Sequence, residues 1–254
     1  YAGRLMRAAI AAVPDGVYAF ADSLDDDGAG TEGVGVRAQV TIAGDRAIVD
    51  FSDCDDESPG ALNAVLPVTL SSVLYCFRLL LPEDVPTNEG LLDPIRVIAP
   101  EGTIVNPRPP AACGARGITG FRMMDCVMGA LAQALPTRVP ADGSGGSTLP
   151  TIAGYRDGRA FVFCETFMGT WGAARDHDGQ EGVPHMGANQ SNVPVEMIES
   201  DYPIRIERYG LVPDSGGAGR TRGGLGLIRE YRILAEEAIL SVRSDKRRFP
   251  PHGL

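Results

Sequence analysis

The 254-residue chain is 44% hydrophobic and carries 33 acidic against 23 basic side chains, a net charge of -10. That composition can bury a sizeable core and disfavours a nucleic-acid partner. No apolar run reaches bilayer length, since the best, residues 66–81, is interrupted by Ser71, Ser72 and Arg78, so no membrane partner is expected. Five widely spaced cysteines, Cys54, Cys76, Cys113, Cys126 and Cys164, suit reduced thiols rather than a disulfide framework or a zinc site, and no signal peptide opens the chain; the expected location is cytoplasmic.

In chain order, Leu5, Met6, Ala9, Ile10 and Val13 space an amphipathic helix at the start of the chain. It lacks a capping residue, and the chain ends on a turn-like RRFPPHGL, so both ends are expected to be cut from a longer polypeptide. Residues 17–22, 34–42 and 47–51 alternate or run apolar between Gly and Asp turns and predict an antiparallel meander. The acidic stretch 22–57 lacks EF-hand spacing and reads as solvated turns. Pro67 suits the first turn of a helix whose buried face is predicted to carry Leu70, Leu74, Phe77 and Leu81, with Pro82 as its stop. Short strands at 95–98 and 103–105 precede a Pro-rich loop. A second helix is predicted from Thr119 as N-cap to Leu135, with Phe121, Met124, Met128, Leu131 and Leu135 on one stripe. The Gly/Ser-rich stretch 141–150 reads as a loop beside the active site or a linker. Strands 149–155 and 159–167 form a hairpin across Asp157-Gly158. Strand patterns at 204–211 and 225–234 flank a loop with six glycines between Gly216 and Gly226. The fold class is α+β, with mixed, mostly antiparallel sheets and a few packed amphipathic helices, in parts 1–140 and 141–254.

The glycine loop also carries Arg220 and Arg222. Glycines this dense serve left-handed turns or close backbone approach. A phosphate cradle is not the expectation, because the glycines open no helix and Lys246 is the only lysine of the chain. Two guanidinium forks there suit a carboxylate or another anion, or structural pairing with acidic side chains. The basic side chains that follow residue 204 are expected to cover an acidic neighbour. The long loop 168–196 holds Trp171 and two of the three histidines. Its Asp176, His177, Asp178 and His185 offer a metal site, an acid/base pair, or plain hydrogen bonding in a surface loop. Cys113, beside Gly114 and near Arg116, has the setting of a reactive thiol or of a small packed residue. Ser147 and Ser191 lack a nucleophile elbow.

Several blocks resemble one family. VDFSDC at 49–54, PTNEGLLDPIRVIAPEGTIVNPRPPAA at 86–112, MGALAQALP, GTWGA, the run from Asn192 to Gly226 and the closing SDKRRFPPHGL are similar to the hydantoinase B / oxoprolinase family, which also includes large subunits of acetone and acetophenone carboxylases. The resemblance implies ATP-dependent hydrolysis of a small-molecule cyclic amide in a hetero-oligomer with a hydantoinase A-type, actin-like ATPase subunit or domain. ATP and Mg2+ then belong to that partner, and a divalent Zn or Mn to a His/Asp region preceding Tyr1, which would leave this chain inactive alone. A ketone carboxylase subunit and a non-catalytic scaffold are the alternatives. By loop position and chemistry, His177 and Asp178 are the catalytic candidates, and Asn63, Arg116, Trp171, Arg220 and Arg222 the substrate-binding ones.

Overall fold

The expected meander forms, and it organises the first of two units, residues 1–140 and 141–253. The structure is a computed structural model that describes residues 1–82, 84–144 and 148–253. Ser147 lies outside the described residues. Strands β1 (Gly16–Asp26), β2 (Glu32–Ala43) and β3 (Arg46–Asp50) pair antiparallel, with Val40 opposite both Tyr18 and Val49. β4 (Ile95–Ile98) closes the sheet parallel to β3. Val34, Val36, Ala38, Val40 and Ile42 of β2 are buried at a spacing of two, so one face of the sheet is core.

Three helices pack in this unit. α1 (Ala2–Ala11) buries Met6 and Ile10 and packs on β3 and a short 3-10 turn, Glu89–Leu91. α2 (Leu66–Arg78) has Pro67 in its first turn. Its buried face is rotated from the predicted stripe to Thr69, Ser72, Val73, Cys76 and Phe77, and it ends before Leu81. Small side chains won because the neighbouring helix comes close: Ser72 Oγ donates to Gly120 O at 3.4 Å, and Cys76 Sγ lies 3.7 Å from Met124 O. α3 (Arg116–Ala134) starts before the predicted Thr119 cap. Thr119 is instead buried within it and donates to Leu62 O at 2.5 Å. Nor is α3 buried on one stripe alone, since 13 of its 19 residues are buried; it lies against β1 and β2 as well as α2. Buried Arg122 reaches Asp22 of β1 as an ion pair, and Gly129 lets the Phe20 ring in, because a Cβ there would stand 2.7 Å from it. Residues 103–105 make only isolated bridges, Asp56 to Thr103 and Thr103 to Asn106, rather than a strand.

The second unit runs β5 (Leu149–Arg156), β6 (Arg159–Cys164), β7 (Gly169–Thr170), β8 (Glu181–Val183), α4 (Val195–Asp201), β9 (Ile204–Leu211), β10 (Leu227–Ile233) and β11 (Glu237–Arg243). The β5–β6 hairpin turns on Asp157 and Gly158 at φ of 51° and 73°, the paired left-handed geometry of a two-residue hairpin loop. β11, which no alternation in the sequence marks, adds to the other edge of β5. β9 and β10 make the expected hairpin around the glycine loop. Ile152, Phe163, Ile198 and Ile204 form the core of this unit, with Tyr202 edge-on to Phe163 at 5.2 Å. Basic residues beyond 204 find acidic partners within it: Arg222 with Glu181, Arg229 with Glu165, Arg232 with Glu207, and buried Lys246 with buried Asp142. Among the described residues, no helix is long and apolar enough to cross a membrane.

A Gly129→Ala substitution forces a methyl group into the Phe20 ring. The expected cost is about 1–3 kcal/mol, the range for overpacking a core, read from the urea unfolding midpoint.

Candidate functional site

Loop 168–196 and the glycine loop meet backbone to backbone. Gly224 N–H donates to Trp171 O at 3.0 Å and Gly179 N–H to Arg222 O at 2.7 Å. Side chains lock the same seam. Thr221 Oγ1 donates to Ala174 O at 2.6 Å, Arg220 Nη2 to Arg175 O at 3.0 Å, and Asp178 Oδ1 accepts the Arg222 N–H at 2.7 Å. Glu181 accepts from Arg222 Nη2 at 3.1 Å and from Leu225 N at 3.4 Å. A Cβ at Gly179 would lie 2.1 Å from Trp171 O, and one at Gly224 2.0 Å from Thr170 Oγ1. The chain's left-handed glycines, such as Gly158 and Gly182, lie outside the 216–226 run. Within the run, Gly224 serves close approach to the facing loop, and Gly216 and Gly219 close approach within their own loop.

On this seam the structure brings together Trp171, His177, Asp178, Arg220 and Arg222. Trp171, 41% exposed, donates its indole N–H to Pro184 O at 2.6 Å. The carboxylate on His177 is Asp176, with Nδ1 to Oδ1 at 2.8 Å, rather than Asp178. His177 holds the Asp176 carboxyl below its ordinary range, first through that hydrogen bond. The imidazole is 64% exposed, so Nε2 can face an incoming molecule. His185 Nδ1 instead accepts from Gly187 N at 3.0 Å. Asp176 and His177 bond each other, Asp178 binds the Arg222 backbone and His185 its own turn, and among the described residues these four do not bring three ligand atoms together. They do not fit a shared divalent metal.

Asn63 and Arg116 belong to the first unit. Asn63 is fully buried; Oδ1 accepts from Ser58 N at 2.8 Å, and Nδ2 donates to the carbonyls of Ser58, Gly60 and Ala112. Its amide is consumed in holding that loop. Arg116, exposed at the start of α3, donates to Cys113 O at 3.3 Å, and Cys113 Sγ to Ala111 O at 3.5 Å. Neighbouring Asp27 corrects the expectation of solvated acidic turns. It is buried, accepting from Ser58 Oγ at 2.7 Å and from the N–H groups of Ala29, Thr31 and Gly60. These donors, Ser58 foremost, hold its carboxyl well below the usual range. Asp55 likewise binds Arg37 at 2.7 Å.

The profile of the Hydantoinase B/oxoprolinase family matches residues 1–254. The chain belongs to that family. It is 32% identical over 262 residues to the beta subunit of caprolactamase from Pseudomonas jessenii, covering 99% of this chain and 45% of that protein. To 5-oxoprolinase 1 of Arabidopsis thaliana it is 31% identical over 222 residues, 86% of this chain and 17% of that one. The crystal structure of ATP-dependent caprolactamase from Pseudomonas jessenii matches with TM-score 0.81 at 30% identity, over 91% of this chain and 41% of that one. Nucleotide-free acetone carboxylase matches at TM-score 0.83 and 16% identity, over 96% and 35%, a likeness of fold. The hydantoinase B/oxoprolinase chain thus spans less than half the length of these proteins.

Two substitutions test the local chemistry. Gly224→Ala is expected to part the seam and shift Trp171 emission to longer wavelength, because its methyl group meets Thr170 and Gln180. Ser58→Ala should cost about 1 kcal/mol at neutral pH, the net worth of a hydrogen bond. Asp27 has a depressed pKa, so its contribution is complete above the ordinary carboxylate range and fades as pH falls through the folded value. Denaturation at stepped pH should therefore show the gap between parent and variant closing in acid.

Proposed function

We propose that this chain is the amide-opening component of an ATP-dependent cyclic-amide hydrolase. The observation that carries the reading is the Asp176–His177 pair beside the arginine loop, in a family whose member at 30% identity is an ATP-dependent caprolactamase. In this reading a hydantoinase A-type ATPase partner binds ATP and Mg2+ and phosphorylates the amide oxygen, which turns an unreactive lactam into an electrophile. Any zinc or manganese is supplied from outside these 254 residues, and the complex is cytoplasmic.

Hydrolysis then falls to this chain. Water adds to the activated carbon, and His177 Nε2 accepts the proton it loses, with Asp176 fixing the ring through Nδ1–H. The C–N bond breaks as His177 returns the proton to nitrogen. The resulting acyl phosphate takes a second water to give carboxylate and orthophosphate. Arg222 spends one donor on Glu181 and Arg220 one on Arg175 O. Their remaining side-chain N–H groups have no protein partner among the described residues and suit the phosphoryl oxygens. Trp171 supplies an apolar wall for the ring.

In the reconstituted complex, His177→Ala is expected to lower kcat by about 10²–10⁴-fold, the usual worth of a positioned acid/base. Asp176→Asn should lower it less and move the pH profile, and Arg222→Gln should raise KM for the lactam. Assembly measured alongside by sedimentation would stay normal. Loss of assembly with per-complex turnover intact would mark a scaffold instead, and ATP consumption that requires bicarbonate and a ketone would mark a carboxylase.

A further inference from the structure

One charged cluster of the second unit is buried where the two ends of the long loop meet the strands. Glu165, just past β6, and Arg229, on β10, each have side chains 1% exposed. Arg229 Nη1 donates to both Glu165 oxygens at 2.9 Å, and Tyr231 O–H donates to Oε1 at 2.6 Å. Both partners also hold Val193: its N–H donates to Glu165 Oε2 at 3.2 Å, and its carbonyl accepts from Arg229 Nη2 at 2.8 Å. The guanidinium carbon sits 4.5 Å from the centre of the Tyr209 ring. The Tyr209 hydroxyl oxygen accepts from Asn192 Nδ2 at 2.5 Å, and Asn192 Oδ1 accepts from Met168 N–H at 3.0 Å.

Met168 begins the long loop, and Asn192 and Val193 end it. One network therefore grips both ends. Burying an ion pair is a poor route to stability, since desolvation offsets the attraction. What it does provide is geometry, because a guanidinium–carboxylate pair matched to a backbone N–H and a backbone carbonyl has few satisfactory arrangements. Burial, and then Glu165, push the Tyr231 phenol well above its ordinary pKa, so it stays a donor.

We propose that Glu165 and Arg229 form a clasp that closes the neck of the 168–193 loop and fixes where Trp171 and His177 stand. Resting on the reading that this loop carries the reaction, they are positioning residues for it. Trp171, the only tryptophan of the chain, reports the loop directly. Arg229→Lys keeps the charge but loses the fork, and Glu165→Gln keeps the shape but loses the charge. In either folded variant, Trp171 emission is expected at longer wavelength with stronger acrylamide quenching. In the reconstituted complex, kcat should fall on the order of 100-fold with KM for ATP unchanged, as for a misplaced reacting group. A folded variant with Trp171 emission and quenching like the parent overturns the clasp. A displaced loop with undiminished turnover leaves the clasp standing and removes the reaction from the loop. Should both variants fail to fold, hydrogen exchange on the parent decides: Met168, Trp171 and Val193 amides opening together support the clasp, and independent opening overturns it.

Discussion

The candidate site depends on the approach of two backbones to contact distance at Gly179 and Gly224. Without side chains there, the carbonyl of Trp171 and the N–H of Gly224 can bond directly. That contact brings the arginine-bearing loop alongside the histidine-bearing one. The remaining polar groups follow from it: Asp178 caps the Arg222 amide because the chains are already adjacent, and Glu181 reaches Arg222 from the next strand. Arginine is the cation suited to such a place, since its planar fork can spend one donor on the scaffold and keep others for a ligand.

Much of the fold was legible because alternation and turn chemistry are local. The meander, the Asp157-Gly158 hairpin and the strand pair around the glycine loop all rest on local sequence patterns. What escaped was set by distant partners. The buried face of α2 differs from the predicted stripe because volume alone ranks Leu70 above Ser72, whereas proximity to Gly120 of α3 selects the small side chain. Thr119 has the chemistry of a cap, yet a carbonyl 57 residues away claims its hydroxyl. In β11, Ile239 and Leu240 are adjacent and both exposed, so no contrast between faces marks the strand.

The site was legible at the level of loops and less so at the level of pairs. Its five residues on the seam were selected for their loops and their chemistry. The partnership of His177 with Asp176 rather than Asp178 depends on which carboxylate the Arg222 amide takes, and spacing alone does not reveal that. Asn63 is a candidate by loop position and chemistry, and backbone groups of its own loop and of Ala112 consume its amide. Glu165 and Arg229 stand 64 residues apart, so no local pattern in the sequence pairs them. The available signal was a single charge, Arg229, at a position of β10 that faces inward.

The burial of Lys246 against Asp142 carries a chemical consequence. The chain's only lysine is removed from solvent, and every other basic side chain apart from the histidines is an arginine. Guanidinium groups stay protonated and resist acylation, whereas an exposed lysine amine captures activated acyl groups readily. The described surface of this chain therefore offers no lysine amine for an activated acyl group to modify.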